Sequence, residues 1–264
     1  LIHSALRSWQ STLTHKPAAA DNYFNVLCAA LKFGVSRRRL ADNFAIGIPD
    51  LYDIGRRARI VWTVQDVELF VRTAEELGLP TVADAALLGF ETGLRPEDLI
   101  TVRTDHVFRY ELTKRALKVT RFGNRYYATI PRTEELNVVL TRCRRRHRQP
   151  GVDTLLVKNN GEPFLDFQLE NAVRLVRRAC GICYMDPVTG QREELHLRDL
   201  RGTFATRLLA TTDLTDKEIA EVMAWSPRWV ARIRRVYVND LDHIEAMGRR
   251  WQSQPADPAA GNLL

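Results

Sequence analysis

Cysteine is scarce in this chain, and a long apolar run is missing. Four cysteines among 264 residues are too few for the disulfide framework that holds small secreted domains together, so a reducing compartment such as the cytoplasm is the simpler interpretation. No apolar stretch approaches the length of a membrane span, and no secretory signal opens the chain. These absences argue against a membrane protein and against a disulfide-rich secreted protein.

Candidate metal ligands are also few. Cys180 and Cys183 have the CxxC spacing of zinc and thiol-redox sites, which leaves such a role as the minor alternative. No second cysteine pair or histidine pair accompanies them, and they follow an amphipathic helical pattern. We therefore expect neither a metal site nor a cofactor.

Positive charge exceeds negative charge. Lys and Arg number 39 against 32 Asp and Glu, which gives a formal net charge of +7 and is compatible with a polyanionic partner. The charge is concentrated in runs such as RCRRRHR at residues 142–148. Taken alone, such a run is also typical of a solvated helix face.

The stretch from residue 195 to residue 240 carries most of the signal. Apolar residues recur there at the spacing of one helix face, which predicts three short amphipathic helices on one core. The three groups are Leu200, Phe204 and Leu208; Ile219, Val222 and Met223; and Val230 and Ile233. Arg198 and Arg201 lie where the first helix begins. A helix N-terminus favours an anion, and two guanidinium groups beside it suit a phosphate or a carboxylate.

Two motifs, ETGLRPEDL and the succession RDLRGTFATRLL, MAWSP and Tyr237, resemble the catalytic motifs of the tyrosine recombinases, the phage integrase family. The first motif supplies Arg95 as the first catalytic arginine. The second is similar to the family's His-x-x-Arg, then a Gly-His or Gly-Trp pair, then the nucleophilic tyrosine. The resemblance implies Arg201 as the second arginine and Tyr237 as the nucleophile. It places Trp225 at the His/Trp position and Arg198 where the family has histidine.

The resemblance also implies supporting residues. Asp98 corresponds to the carboxylate that orients the active-site cations. The family carries a lysine near the tip of a β-hairpin, as the proposed general acid for the leaving 5′ oxygen. The tip here is Gly123-Asn124 and has no lysine. Lys118 is the chemically capable candidate and Arg121 the positional one, and the choice between them stays open.

Arg198 in place of histidine affects the acid–base step. A guanidinium keeps its proton at any accessible pH, so Arg198 can stabilise charge but cannot accept the tyrosine's proton. His196, two residues earlier, reaches the same pocket if the segment is extended, because alternate residues then share a side. The alternative for His196 is a structural histidine.

The same residues have ordinary interpretations without the resemblance. Arg95 alone is typical of a surface loop, and Trp225 of a packing residue. Tyr237 shares a helical stripe with Val230 and Ile233, which is typical of a core or an interface. The order and spacing of the two motifs favour the catalytic interpretation.

We predict an α+β, mostly helical fold: a tyrosine-recombinase catalytic domain with a small antiparallel three-stranded sheet, preceded by a partial helical core-binding domain. Leu1 is not a methionine and already lies in a helical pattern, so we expect an N-terminal truncation. The assigned ranges are 1–50 for the DNA-binding domain, with helices near 2–13 and 20–33; 51–62 for a linker; 63–251 for the catalytic domain; and 252–264 for a flexible C-terminal tail.

Local signals predict the elements of the catalytic domain. Thr63 and Asp66 form a capping-box pattern at the start of a helix. Gly93 ends the next helix, and Pro96 begins another at its favoured first position. Alternating β-branched and aromatic residues predict the strands VFRYELT, RALKVTR and RYYATIP between residues 107 and 131. The other predicted elements are a helix from Thr133 to about Arg146, a short strand at 154–157, a helix at 167–179 and the loop DPVTGQREE.

The resemblance implies a site-specific DNA recombinase that integrates or excises a mobile element through a covalent 3′-phosphotyrosine, without metal or other cofactor. It implies double-stranded DNA as the partner, a homotetramer on paired sites, room for accessory DNA-bending proteins, no membrane, and a cytoplasmic, nucleoid-associated setting in a prokaryotic or phage-encoded context. Two alternatives stay open. One is a DNA-binding protein of the same fold with weakened cleavage, and the other is DNA relaxation by the same chemistry without strand exchange.

Overall fold

The computed structural model describes residues 2–51, 59–119, 123–187 and 189–230. The chain divides into two compact units, Leu1–Arg56 and Arg57–Leu264. Each unit has buried apolar residues of its own, for example Phe24 in the first and Phe70 in the second. Within the described ranges, no helix combines the length and the apolar character needed to cross a membrane.

The first unit is helical. Its two helices are α1 (Ile2–Ser11) and α2 (Pro17–Ser36), close to the two helices that the sequence predicted. Pro17 is the first residue of α2, a position where the missing N–H has no partner to lose. Trp9 of α1 stacks on Phe24 of α2, with the ring centroids 5.2 Å apart, and this contact joins the two helices.

The second unit is mostly helical and carries two small antiparallel sheets. Its described helices are α3 (Val64–Glu76), α4 (Pro80–Thr92), α5 (Pro96–Leu99), α6 (Glu134–Arg144), α7 (Asp166–Cys180), α8 (Leu200–Thr211) and α9 (Asp216–Met223). Its described strands are β1 (Glu111–Arg115), β2 (Tyr127–Pro131), β3 (Cys183–Met185) and β4 (Arg192–Glu194). A 3-10 turn, Leu197–Asp199, leads directly into α8.

Helix α4 lies at the centre of the second unit. It packs against α3, α6 and α8, and ten of its thirteen residues are buried. Gly89 permits the close approach of α8, since a Cβ at Gly89 would lie 3.1 Å from Cδ1 of Leu200. The end of α4 is therefore held against the start of α8, which is where the candidate site is built.

The sequence signals at the ends of α3 and α4 are confirmed. The Thr63 hydroxyl accepts the Asp66 N–H at 3.1 Å, and the Asp66 carboxylate accepts the Thr63 N–H at 2.9 Å. Gly93 follows α4 with φ 60°, the left-handed conformation that ends many helices. Pro96 is the first residue of α5. These signals act within one turn of the chain, which is why the sequence alone reveals them.

The sheet predicted between residues 107 and 131 has two strands in the described part of the chain, not three. β1 pairs with β2 in antiparallel register, with Leu112 opposite Ile130. The first predicted strand, VFRYELT, turns back on itself before β1, because the Phe108 N–H donates to the Glu111 carbonyl at 2.8 Å.

The predicted middle strand, RALKVTR, is not formed over its described residues after β1. The N–H of Leu117 donates to the Asp98 carboxylate at 2.7 Å, so this donor is not available to a neighbouring strand. The tertiary contact with Asp98 overrides the local β propensity of the segment.

Two other segments differ from the sequence prediction. The predicted loop DPVTGQREE contributes to a hairpin, in which β3 pairs with β4 and Met185 lies opposite Arg192. The strand predicted at residues 154–157 is reduced to single bridges, one of which joins Thr154 to Arg103. Both segments are too short for a periodic pattern to distinguish strand from loop.

Candidate active site

Arg95 lies in the loop between α4 and α5, where Gly93 turns the chain and Pro96 begins the next helix. An Nη1 atom of Arg95 lies 3.6 Å from an oxygen of Asp98, which is 1 % exposed. The other oxygen of Asp98 accepts the Leu117 N–H at 2.7 Å. Asp98 therefore joins the arginine loop to the segment that follows β1.

Arg201, in the first turn of α8, is held by backbone carbonyls from two other elements. Its Nη1 donates to the carbonyl of Gly93 at 2.7 Å, and its Nη2 donates to the carbonyl of Met223 at the end of α9. The guanidinium carbon lies 5.0 Å from the ring centroid of Trp225, a cation–π distance. The plane and direction of the Arg201 guanidinium group are therefore fixed. The group contacts Gly93, which lies two residues before Arg95 in the α4–α5 loop.

Trp225 is brought to Arg201 by the end of α9. Ala224 takes the left-handed conformation (φ 49°, ψ 50°), and the N–H of Trp225 donates to the Ala220 carbonyl at 2.9 Å. This reversal turns the chain back across the helix end and places the indole against the guanidinium group. The structure therefore brings together Arg201, Trp225 and the loop of Arg95.

Arg198 and His196 line a different space, a cavity of about 720 Å³ beside α7. Glu97 of α5 and Arg174 and Arg177 of α7 line it too, whereas Arg95 and Arg201 do not. Arg198 lies in the 3-10 turn before α8 and is exposed. His196 and Arg198 thus line one cavity, but it is not lined by Arg95 or Arg201, and Arg198 belongs to a 3-10 turn rather than to an extended segment.

Several contacts hold His196. Its carbonyl accepts from Nε1 of Trp62 at 3.2 Å, and its N–H donates to the Asp199 carboxylate at 2.7 Å. Its Nδ1 lies 3.5 Å from Nη1 of Arg177. A guanidinium group only donates and is positively charged, so the contact with Arg177 disfavours uptake of a proton at Nδ1. This contact disfavours His196 as the base for the tyrosine.

Lys114, a buried lysine of β1 near Asp98, is a candidate residue that the sequence reasoning missed. It shares the inward face of β1 with Leu112 and is 6 % exposed, whereas Lys118 is exposed. Burial lowers the pKa of Lys114, the Asp98 charge opposes this shift, and Arg125 adds to it. The signal in the sequence was the alternation of β1, which puts residues 112 and 114 on one face.

Two predicted residues, Arg121 and Tyr237, lie outside the described residues. The chain before Tyr237 is helical over residues 227–230, and Val230 is buried within that stretch. The third predicted helix of the central stretch therefore begins in the described part of the chain, and Ile233 lies outside the described residues.

The basic run at residues 142–148 is largely used inside the protein. Arg142 and Arg146 both pair with the buried carboxylate of Asp84, and Arg148 donates to the carbonyls of Cys143 and Leu155, among others. Much of the charge that the sequence offered to a polyanion thus stabilises the contact between α4 and the end of α6.

Comparisons with known proteins give matches to solved structures, but no protein-family model and no curated protein matches this chain. The integrase of transposon Tn1549, in a complex with transposon right end DNA, is similar with a TM-score of 0.71 and 18% identity, over 95% of this chain and 85% of that one. A lambda integrase dimer bound to a core site is similar with a TM-score of 0.68 and 17% identity, over 88% of this chain and 79% of that one.

A lambda integrase tetramer bound to a Holliday junction is similar with a TM-score of 0.65 and 17% identity, over 83% of this chain and 62% of the other. At such identities the similarity concerns the fold. The chain therefore has the fold of the tyrosine recombinases, the phage integrase fold.

Proposed function

We propose that this protein is a site-specific DNA recombinase of the tyrosine type, which cleaves and rejoins DNA strands through a covalent 3′-phosphotyrosine intermediate. The observation that carries the proposal is the bond from Arg201 to the carbonyl of Gly93, two residues before Arg95. Arg95 is part of the α4–α5 loop, and Arg201 is hydrogen-bonded to the same loop. Two guanidinium groups held in this way suit the two non-bridging oxygens of one phosphodiester. The integrase fold around them supports the same function.

In the proposed cleavage step, the Tyr237 oxygen attacks the scissile phosphorus, and the tyrosine proton passes to water. The bond from phosphorus to the 5′ oxygen breaks, and the Lys114 ammonium group protonates that oxygen. Arg95 and Arg201 stabilise the added negative charge of the five-coordinate phosphorus, a type of stabilisation that is often the largest catalytic term. The phosphotyrosine ester keeps the bond energy, so a 5′ hydroxyl can reverse the step without ATP.

Three further residues have supporting roles in this proposal. Asp98 orients Arg95 and keeps a negative charge near Lys114. Trp225 covers one face of the Arg201 guanidinium group. Arg198 adds a permanent positive charge beside the site, because a guanidinium group does not titrate in this pH range.

We also propose double-stranded DNA as the partner, with residues 1–50 as a partial core-binding domain, 51–62 as its linker and 63–251 as the catalytic domain. Strand exchange joins two sites, so the proposed assembly is a homotetramer, with residues 252–264 as a contact between protomers. Accessory DNA-bending proteins are compatible with it. The proposed setting is the integration or excision of a mobile element in the cytoplasm of a prokaryotic host.

A second candidate is a DNA-binding protein of this fold that cleaves poorly. The favouring observation is the cavity of Arg198 and His196. Arg198 cannot accept a proton, and the Nδ1 atom of His196 faces a guanidinium group. A site without a general base loses about 100-fold in rate or more.

Trapping of the covalent adduct tests the proposal. The protein is mixed, without divalent metal, with nicked duplexes made from the DNA that flanks its gene, and the products are separated on a denaturing gel. We expect a protein–DNA adduct that Tyr237→Phe abolishes, because phenylalanine has no nucleophilic oxygen. Tyr110→Phe is the matched control, since Tyr110 is exposed on the turn before β1, and it should form the adduct normally.

The outcomes separate the two candidate functions and test the assigned nucleophile. An adduct with the unaltered protein and with Tyr110→Phe, but not with Tyr237→Phe, supports the recombinase. An adduct that survives Tyr237→Phe contradicts the assigned nucleophile. Shifted DNA without adduct in any of the three proteins, on all flanking duplexes, supports the binding protein instead.

A further inference from the structure

A closed ring of hydrogen bonds surrounds the turn that carries Arg198. The backbone N–H of Trp62 donates to the Thr203 hydroxyl at 2.8 Å, and that hydroxyl donates to the Asp199 backbone carbonyl at 3.1 Å. The Asp199 carboxylate accepts the His196 N–H at 2.7 Å, and the His196 carbonyl accepts from Nε1 of Trp62 at 3.2 Å. The ring therefore closes through four residues.

Three of the four members are buried: Trp62 is 2 % exposed, Thr203 3 % and Asp199 7 %. Hydrogen bonds in such a setting are shielded from water, and a donor left without its acceptor is costly. The indole of Trp62 also packs edge-on against Phe70 of α3, with the centroids 5.3 Å apart. The position of Trp62 is thus set by α3, outside the segment that it holds.

The ring of hydrogen bonds surrounds the backbone that carries both arginines of the second motif, Arg198 and Arg201. The 3-10 turn Leu197–Asp199 carries Arg198, and the first turn of α8 carries Arg201. Trp62 bonds to the start of this segment through His196 and to its end through Thr203. A shift of Trp62 would move the backbone beneath both guanidinium groups.

We infer that Trp62 is a positioning residue, which holds the segment of Arg198 and Arg201 in place for the reaction through the ring with Thr203. This inference rests on the proposed function. Trp62 touches neither substrate nor reacting atoms in this role. Its contribution is geometric, and displacement of a catalytic group by about 1 Å can cost about 100-fold in rate.

Two substitutions open the ring at different bonds. Trp62→Phe keeps an aromatic ring against Phe70 but removes the Nε1 donor to the His196 carbonyl. Thr203→Val keeps the side-chain shape but removes the hydroxyl, while Thr203→Ser keeps the hydroxyl and serves as the conservative control. Backbone hydrogen exchange of residues 196–203, read by mass spectrometry at a temperature where every variant is folded, reports the positioning directly.

We expect faster exchange in this segment for Trp62→Phe and Thr203→Val, and exchange near that of the unaltered protein for Thr203→Ser. On nicked duplexes at saturating protein, adduct formation should slow by about tenfold in the first two variants, with equal DNA affinity. A role limited to stability lowers the unfolding temperature and speeds exchange across the whole second unit, but it leaves the adduct rate of the folded protein unchanged.

The outcomes separate this inference from the function on which it rests. If the unaltered protein forms no adduct, the proposed function is wrong, and hydrogen exchange alone decides whether Trp62 holds the segment. Unchanged exchange in both ring-opening variants overturns the inference. Faster exchange with an unchanged adduct rate also overturns it, because the segment then moves without consequence for the reaction.

Discussion

Two lysines of one short segment differ in burial and therefore in chemistry. Lys114 is 6 % exposed on the inward face of β1, and Lys118, four residues later, is exposed. Burial lowers the pKa of Lys114 despite the opposing charge of Asp98. A lowered pKa makes an ammonium group a better proton donor near neutral pH. Lys114 is therefore the better candidate for the general acid.

We expect Lys114→Ala to slow adduct formation by about 100-fold, the lower end of the effect of a general acid. A substrate with sulfur in place of the bridging 5′ oxygen should restore the rate, because a thiolate leaves without a proton. With the normal substrate, the unaltered protein should slow as pH rises through the Lys114 pKa, since only the protonated amine donates. This fall should begin below the ordinary pKa of lysine. Quenched time courses across pH measure both effects.

Lys118→Ala is the matched control and should leave the rate and its pH dependence unchanged. If Lys118→Ala is the slow variant and the sulfur substrate restores its rate but not that of Lys114→Ala, Lys118 is the general acid instead.

The motifs in the sequence predicted part of this neighbourhood, and the reason is local. Arg201 and Trp225 meet, and the loop of Arg95 lies beside them, because each residue sits at the end of a short helix whose signals are contiguous in the chain. The sequence did not point to Lys114, because its proposed role depends on Asp98. The residues around Lys114 do not show which face of β1 the Asp98 carboxylate approaches.

At the scale of elements, two glycines end successive helices in the same conformation but in different surroundings. Gly78 follows α3 with φ 69°, and Gly93 follows α4 with φ 60°. A Cβ on Gly78 meets nothing within 4 Å, whereas a Cβ on Gly93 would lie 2.5 Å from Cδ1 of Phe204 on α8. The left-handed conformation favours glycine at both sites, and close packing requires it only at Gly93.

We expect Gly78→Ala to lower the free energy of unfolding by about 1–2 kcal/mol, the cost of the left-handed conformation. Gly93→Ala should lower it by about 1–3 kcal/mol more, because the new methyl group collides with Phe204. Urea unfolding at one pH measures both values. Gly93→Ala should also slow adduct formation, since its carbonyl holds Arg201, while Gly78→Ala should not. Equal losses of stability would contradict the packing argument.

The elements that the sequence predicted well are those with signals at their own ends. Thr63 with Asp66 and Gly93 mark helix ends within a few residues. The three-stranded sheet failed for the opposite reason, since the Leu117 N–H is taken by Asp98 from a distant helix. Short strands of three residues, such as β3 and β4, leave no period to detect.

At the scale of the whole molecule, net charge does not show where charge is used. The chain has a formal charge of +7, and its densest basic run suggested a polyanion. Asp84 of α4 is 1 % exposed and pairs with Arg142 and Arg146 from that run. These two arginines join α6 and the residues after it to α4 by neutralising a buried carboxylate.

The double substitution Arg142→Met with Arg146→Met should lower the free energy of unfolding by about 3–5 kcal/mol, because it leaves a buried carboxylate without its partners. Adding Asp84→Asn should recover most of this loss, since the buried charge is then removed as well. Urea unfolding of the double and triple variants measures the coupling.

The control removes the same charge from the same run. Arg144 and Arg145 are exposed, and Arg144→Met with Arg145→Met should change the stability by less than about 1 kcal/mol, as is usual for surface positions.

The salt dependence of DNA binding then distinguishes arginines that pair inside the protein from arginines that bind phosphate. Substitution of an arginine that binds a DNA phosphate reduces the slope of log affinity against log salt. We expect the triple variant, which keeps the fold without the internal pairs, to retain the slope of the unaltered protein. A reduced slope would show that Arg142 or Arg146 exchanges its bond to Asp84 for a phosphate when DNA binds.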